Sequence, residues 1–283
     1  ISMKFAGFAD EVSVELTDQI EALQALGWSG IEMRLIGKGL HFDDVDEAQF
    51  QAIADRLDAV AILVVGYGSQ IANWSRRISG AFDVDVAELR RIIPRMHRTR
   101  TRLVRVMSYP NDGWPDPDWR AEVVRRFREL CRIAEGEGIT LGHENCDGWA
   151  GQGPRETLDL LDAVRSPALK LIYDTGNPVT YGQDPWTFYS AVRDHIVHVH
   201  IKDYVGDPAS PSGYRATFPG EGAGRVQEIL ADLKARGYEG WFSIEPHLLS
   251  VIHEGKDATG RENEAREVFL MYGRRFEELY RRA

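Results

Sequence analysis

Eight times between Lys4 and Arg281 a short apolar run is followed by a segment whose apolar residues recur at helical spacing. Strict strand–helix alternation of this kind restricts a chain to a few α/β architectures with a parallel sheet. The apolar runs are Lys4–Phe8, Gly30–Leu35, Ala61–Gly66, Leu103–Met107, Ile139–Glu144, Leu169–Asp174, Ile196–Lys202 and Trp241–Glu245. The first helical segment, Glu15–Leu26, places Leu16, Ile20, Leu23 and Leu26 on one face. Glu47–Leu57, Val84–Met96, Trp119–Glu135 (stopping at Gly136), Pro154–Ala163, Pro185–Val192, Val226–Arg236 and Glu264–Arg281 follow. Eight such repeats in 283 residues, with no linker-like composition shift, predict one α/β domain over 1–283, a (β/α)8 TIM barrel. An open doubly wound sheet would carry a Gly-rich phosphate loop after its first strand, and Gly7-Phe-Ala-Asp-Glu11 is not one.

Composition narrows the function. The chain is 43% hydrophobic and 28% charged, enough apolar material for a large core. Its net charge of −10 argues against nucleic acid as a partner, since phosphate binding needs a basic surface. The local basic run from Arg90 to Arg102 reads as the solvated end of a helix and the loop beyond it. Two cysteines, Cys131 and Cys146, imply no disulfide framework and a reducing, cytoplasmic setting. No apolar stretch approaches the roughly 18 residues of a membrane span, so no membrane association is expected. Ile1 and Ser2, ahead of Met3, read as a cloning remnant.

Four of the runs carry at or near their C-terminal end a side chain that can bind a metal: Glu144, Asp174, His200 and Glu245, on predicted strands five to eight. In a barrel these ends converge on one face, so the four can meet at a single ion. Three carboxylates and an imidazole suit Mn2+ best among Mn2+, Mg2+, Co2+ and Zn2+, whereas structural zinc favours cysteine-rich sets. Strand periodicity puts His198 in the interior below His200, as a hydrogen-bonded histidine rather than a ligand, and turns His143 the other way from Glu144. His247 shares the side of Glu245 and is a candidate substrate contact, as is Lys202. The connection over 203–225 is long and rich in Gly, Pro and Ser, which predicts an active-site lid. The segment Ser108–Pro117 is a second candidate wall of the pocket.

The stretches His143-Glu-Asn145, Tyr173-Asp-Thr-Gly-Asn177, His198-Val-His-Ile-Lys-Asp203, Gly220-Glu-Gly222 and Gly237–Glu245 carry a resemblance. The chain resembles the xylose isomerase-like barrels, a superfamily of sugar and sugar-phosphate isomerases and epimerases. The resemblance implies that Glu144, Asp174, His200 and Glu245 bind one divalent metal, and that Glu144 and Glu245 flank the substrate as the acid/base pair. The implied reaction removes a proton α to a carbonyl through an enediolate, with no nucleotide or redox cofactor. Asn177 stands where ketose 3-epimerases of the superfamily have a histidine. The arginine those enzymes carry after the seventh-strand histidine has Arg215 as its nearest counterpart, beyond an insertion. Asn177, Lys202, His247 and Arg215 are therefore the expected substrate contacts.

Two reactions fit this chemistry: sugar isomerisation or epimerisation, and β-elimination by a lyase, such as inosose dehydration or cleavage of a 3-keto-glycoside. The AP-repair endonucleases share the fold but need further histidines where this chain has Glu32, Gly66 and Arg105, and a basic face. A purely sugar-binding role would leave two glutamates on a metal idle. The expected partner is a small sugar or keto-sugar. The expected assembly is a homo-oligomer, or a hetero-oligomer with a small subunit if the enzyme cleaves glycosides.

Overall fold

The structure is a computed structural model describing residues 3–283; Ile1 and Ser2 lie outside the described residues. Eight parallel strands close into a barrel: β1 (Phe5–Gly7), β2 (Gly30–Met33), β3 (Leu63–Gly68), β4 (Leu103–Ser108), β5 (Thr140–Gly148), β6 (Leu169–Asp174), β7 (Ile196–Ile201) and β8 (Trp241–Ile244). Each pairs with its sequence neighbour, and β8 closes onto β1 through Phe5↔Phe242 and Gly7↔Ile244. The outer helices are α1 (Leu16–Leu26), α2 (Glu47–Ala59), α3 (Asp83–Arg98), α4 (Asp116–Glu137), α5 (Pro154–Val164), α6 (Pro185–Val192), α7 (Val226–Ala235) and α8 (Glu262–Arg282). Among the described residues no helix is long and apolar enough to cross a membrane.

Several boundaries differ from expectation, each for a local reason. The third strand starts at Leu63, because Ala61 takes a left-handed φ of 56° and its N–H closes a turn onto Asp58. The fourth helix ends at Gly138 rather than Gly136. Gly138 adopts φ 68° and caps the carbonyls of Ala134 and Glu135, the left-handed stop that glycine accommodates without a Cβ clash. The fifth strand runs on to Gly148, carrying Cys146 and Asp147 past Glu144.

Period-two alternation sets what faces inward. On β7, His198 and His200 are both buried inside the barrel while Val197 is exposed on the outside. On β5, His143 turns outward, its Nε2 3.0 Å from Ser108 Oγ and its ring against Phe127 of α4. Gly66 and Gly68 place no side chain at their positions near the C-terminal end of β3. A Cβ at Gly66 would sit 3.4 Å from Glu32, and one at Gly68 would sit 3.5 Å from an Arg105 nitrogen, so β3 makes room for charged groups from β2 and β4. The wall where β1 meets β8 is sealed by Phe5, Trp28, Phe242 and Phe276, packed edge-on or tilted.

The connection over 203–225 is an ordered arm. It forms an antiparallel hairpin, Tyr204–Gly206 with Tyr214–Ala216, and its far end is pinned by Asp203. The Asp203 carboxylate accepts backbone N–H bonds from Tyr204, Gly220, Gly222 and Gly224 at 2.9–3.0 Å. A Cβ on Gly222 would fall 2.3 Å from Asp203 Oδ1, which is why glycine stands there.

Candidate metal centre

At the C-terminal ends of β5, β6 and β7 the structure brings Glu144, Asp174 and His200 together, with one ligand atom of each within 4.8 Å of the others. Register does this: Asp174 pairs across from His200, and β5 lies beside β6. All three are buried, at 2%, 0% and 0% exposure. Asp174 Oδ1 accepts the N–H groups of Gly176 and Asn177, both at 2.8 Å, which fixes the carboxylate plane. Its Oδ2 has no hydrogen-bond partner, although the Lys202 ammonium lies 3.2 Å away. An orphaned carboxylate oxygen inside an oxygen/nitrogen donor set fits a divalent cation.

His200 is held at both nitrogens: Nδ1 meets Glu144 Oε2, and Nε2 lies 2.7 Å from Glu32 Oε2. Glu32 Oε1 is 2.5 Å from His198 Nε2, so His198 is the hydrogen-bonded interior histidine expected of it. Burial alone would disfavour a charged His200, but Glu32 and Glu144 outweigh it and push the imidazole up to about 10. Burial would likewise raise Glu32 and Glu144. The imidazoles hold Glu32 far below the carboxylate range, and His200 with Arg105 draws Glu144 down. For Asp174 burial prevails, and the carboxyl rises to about 6 despite Lys202.

Glu245 is not part of that three-residue group; it groups instead with Glu11 and His247. Its Oε1 is 2.5 Å from Lys202 Nζ, and its Oε2 accepts a hydrogen bond from Arg34 Nη1 at 2.6 Å. Arg34 is itself clamped by Asp10 through Nε and Nη2 at 2.8 and 2.9 Å. Against the desolvation that burial imposes, Lys202 and Arg34 hold the Glu245 carboxyl well below its ordinary value. Lys202 thus bridges Asp174 and Glu245, and its ammonium is stabilised well above the usual lysine range by those two carboxylates.

Of the expected substrate contacts, Lys202 and Asn177 lie at the centre. Asn177 Oδ1 is 3.4 Å from Lys202 Nζ, while its Nδ2 donates to the Asn145 carbonyl. His247 is close as well, its Nε2 3.4 Å from Glu245 Oε1. Arg215 is not brought into this group: its side chain is 61% exposed on the hairpin, with Asp207 at 3.8 Å as its ion-pair partner.

Sequence reasoning missed Glu32, Arg34, Asp10 and Glu11 as parts of the site, and gave Arg105 no role. Arg105 Nη1 lies 3.3 Å from Glu144 Oε1. The signal was present for three of them: Glu32, Arg34 and Arg105 are charges inside apolar strand runs, and a buried charge needs a partner.

Comparison with known proteins agrees with this architecture. A family profile described as xylose isomerase-like TIM barrel matches residues 20–269. Fructoselysine 3-epimerase of Escherichia coli O157:H7 is 29% identical over 134 residues, 46% of each chain. Inosose dehydratase of Clostridium beijerinckii is 28% identical over 142 residues, 46% of this chain and 47% of the relative. The chain thus spans about half the length of the curated relatives it matches. Among solved structures, an IOLI protein with a bound zinc atom superposes with a TM-score of 0.76 at 16% identity, covering 98% of both chains, a likeness of fold.

Proposed function

The chain belongs to the xylose isomerase-like TIM barrel family, and from that premise we propose that it is a divalent-metal-dependent isomerase or epimerase of a keto-sugar, removing a proton α to a carbonyl through an enediolate. The observation that carries this reading is the convergence of Glu144, Asp174 and His200 on one point of the barrel mouth, with Glu245 tethered beside them through Lys202. Glu144, Asp174 and His200 would hold the ion, assigned as Mn2+, with Glu245 as the fourth carboxylate next to it. When bound, the ion supplies Lewis-acid polarisation of the substrate carbonyl and so acidifies the neighbouring C–H.

The proton work falls to this chain's own carboxylates. Glu144 on β5 and Glu245 after β8 come from different strands of the mouth, and their cationic neighbours favour the ionised form of each in the free protein. In the two-base step one accepts the α-proton as a carboxylate, while the other, having first taken a proton from solvent, returns it to the opposite face, so the pair ends with its protonation exchanged. Lys202 holds Glu245 at 2.5 Å and presents an ammonium that donates to a substrate oxygen. Arg34, fixed by Asp10, prevents Glu245 from swinging away.

Lys202 is also the observation that favours a second reading, β-elimination by a lyase. A buried ammonium beside the base can protonate a departing β-oxygen, converting the same α-deprotonation into loss of water or of an aglycone. Incubating the Mn2+-loaded protein in D2O with ketoses, inososes and 3-keto-glycosides distinguishes the two. Deuterium gained at the α-carbon without mass loss supports isomerisation; release of water or aglycone supports elimination. Glu144→Gln should lower either activity by about a hundredfold or more. A Gln variant with full activity would remove Glu144 from the mechanism.

A further inference from the structure

The rim of the mouth carries an aromatic pair that the proton chemistry does not use. Trp74, on the connection from β3 to α3, is 46% exposed, and its ring centroid lies 6.4 Å from that of His253, on the connection from β8 to α8. Around the barrel β3 and β8 are separated by β1 and β2, so the pair reaches over the ends of those two strands. His253, half exposed, packs in turn against the His247 ring at 5.2 Å, and His247 Nε2 is 3.4 Å from Glu245 Oε1. Trp74 therefore stands two imidazole rings out from Glu245, where a substituent of a sugar held at the reacting pair would lie. The planes of Trp74 and His253 are inclined by 59°, so His253 does not stack on the indole.

The indole is held in place. Ala72, two residues before it, takes a left-handed φ of 57°, a conformation that is costly for a residue with a Cβ. Asp85 and Glu88 of α3 accept the N–H groups of Ala72 and Gln70, and the Ala72 carbonyl accepts the Tyr109 N–H at 2.9 Å. The polar neighbours of Trp74 are engaged within the protein: Asn73 Oδ1 accepts the N–H and O–H of Ser75, and Arg76 is paired with Asp85 and Glu88. What this connection offers a ligand is the indole face.

We propose that Trp74 and His253 form an aromatic subsite that takes a flat aromatic substituent of the sugar, so that the chain acts on aryl glycosides rather than on free sugars. The proposal rests on the reading of Glu144 and Glu245 as the reacting pair and extends it from the sugar to the group attached to it. A fixed indole face pairs with a second ring in an offset or edge-on arrangement and gains more than the area it buries. A second sugar ring would instead need hydrogen-bond partners, and Asn73, Ser75 and Arg76 are already engaged. An anionic substituent would meet arginines already paired, Arg76 with Asp85 and Glu88 and Arg77 with Asp112. The aryl group departs under elimination and stays attached under epimerisation, so the subsite serves either outcome.

Equilibrium binding of unreactive glycosides tests this apart from turnover. Phenyl, cyclohexyl and methyl glycosides of glucose and galactose carry no carbonyl, so they bind without reacting. Each is titrated calorimetrically into the Mn2+-loaded full chain. The phenyl glycoside of at least one sugar should bind roughly tenfold more tightly than its methyl and cyclohexyl counterparts. Trp74→Leu, which keeps apolar bulk without a ring, should bring the phenyl-to-methyl ratio close to one, and Trp74→Phe should restore most of it. A phenyl preference that is absent from the wild type, that survives Trp74→Leu, or that the cyclohexyl glycosides share in full would overturn the proposal. Deuterium exchange or elimination on methyl 3-keto-glycosides with no phenyl preference would remove the subsite and leave the proton-transfer reading standing. A Trp74-dependent preference with neither exchange nor elimination on any 3-keto-glycoside would do the reverse.

Discussion

Glu32 shows how much of the candidate metal centre lies one residue behind its proposed ligands. Its two oxygens are shared between His198 and His200, so it orients the His200 ring and fixes which nitrogen points at Glu144 and Asp174. A carboxylate behind a ligating imidazole sets its tautomer and raises its basicity, and losing such a partner commonly costs tenfold to a hundredfold in metal affinity. Glu32→Gln should therefore weaken divalent-ion binding about tenfold to a hundredfold, measured by competition with a chromophoric chelator. An affinity equal to wild type would mean that Glu32 only fills the interior. Residues of this kind are hard to see in the sequence. The strand-end positions of Glu144, Asp174 and His200 follow from apolar runs that stop at a ligand type. Glu32 and Arg105 interrupt their runs, and their partners come from strands far away in sequence.

The connection from β3 into α3 shows the same limit at the level of elements. Its backbone is anchored by a buried ionic cluster: Asp85 accepts the Ala72 N–H, Glu88 accepts the Gln70 N–H, and Arg76 pairs with both acids. Burial, with Asp43 nearby, pushes the Glu88 carboxyl up to about 7 in spite of Arg76. A carboxyl whose folded value lies above its unfolded one favours folding most below the unfolded value. That contribution is lost as pH rises through the folded value. For Glu88 the window runs from 4.5 to about 7. The wild type should lose ~2–3 kcal/mol relative to Glu88→Gln between pH 5 and pH 8, read from urea midpoints. Parallel pH curves for the two proteins would show that Glu88 does not titrate there. The order of the elements was legible because strand and helix periods alternate without a break. Their edges were not, since Ala61 and Gly138 act through left-handed φ values that no periodicity reports. The basic run from Arg90 to Arg102 was read as solvated, and Arg90, Arg91, Arg100 and Arg102 are exposed, but Arg95 is buried against the Phe42 and Val45 carbonyls. The carbonyls that hold Arg95 lie about fifty residues earlier, beyond the reach of a local pattern.

For the molecule as a whole, closing the barrel gathers Asp10, Glu11, Glu32, Glu144, Asp174 and Glu245 at one end, against Arg34, Arg105 and Lys202, all of them buried. Carboxylates outnumber permanent cations there, and the unfolded chain has no such concentration of charge. A divalent cation that binds the folded barrel and not the unfolded chain adds RT ln(1 + [L]/Kd) to stability, about 2.7 kcal/mol at a hundredfold excess over Kd. For a chain of this size that is a rise of roughly 5 °C in Tm. Asp174 offers the one carboxylate oxygen of the three-residue group that has no hydrogen-bond partner, so Asp174→Asn should abolish the metal-induced shift. Glu245 is already engaged by Lys202 and Arg34, so Glu245→Gln should keep most of the shift even where it removes activity. Calorimetric scans of chelator-stripped and Mn2+-supplemented protein decide the matter. If Asp174→Asn shifts as far as the wild type, the ion binds elsewhere. If Glu245→Gln loses the shift entirely, Glu245 is a ligand of the same rank as Asp174, and Lys202 must withdraw from it when the ion enters.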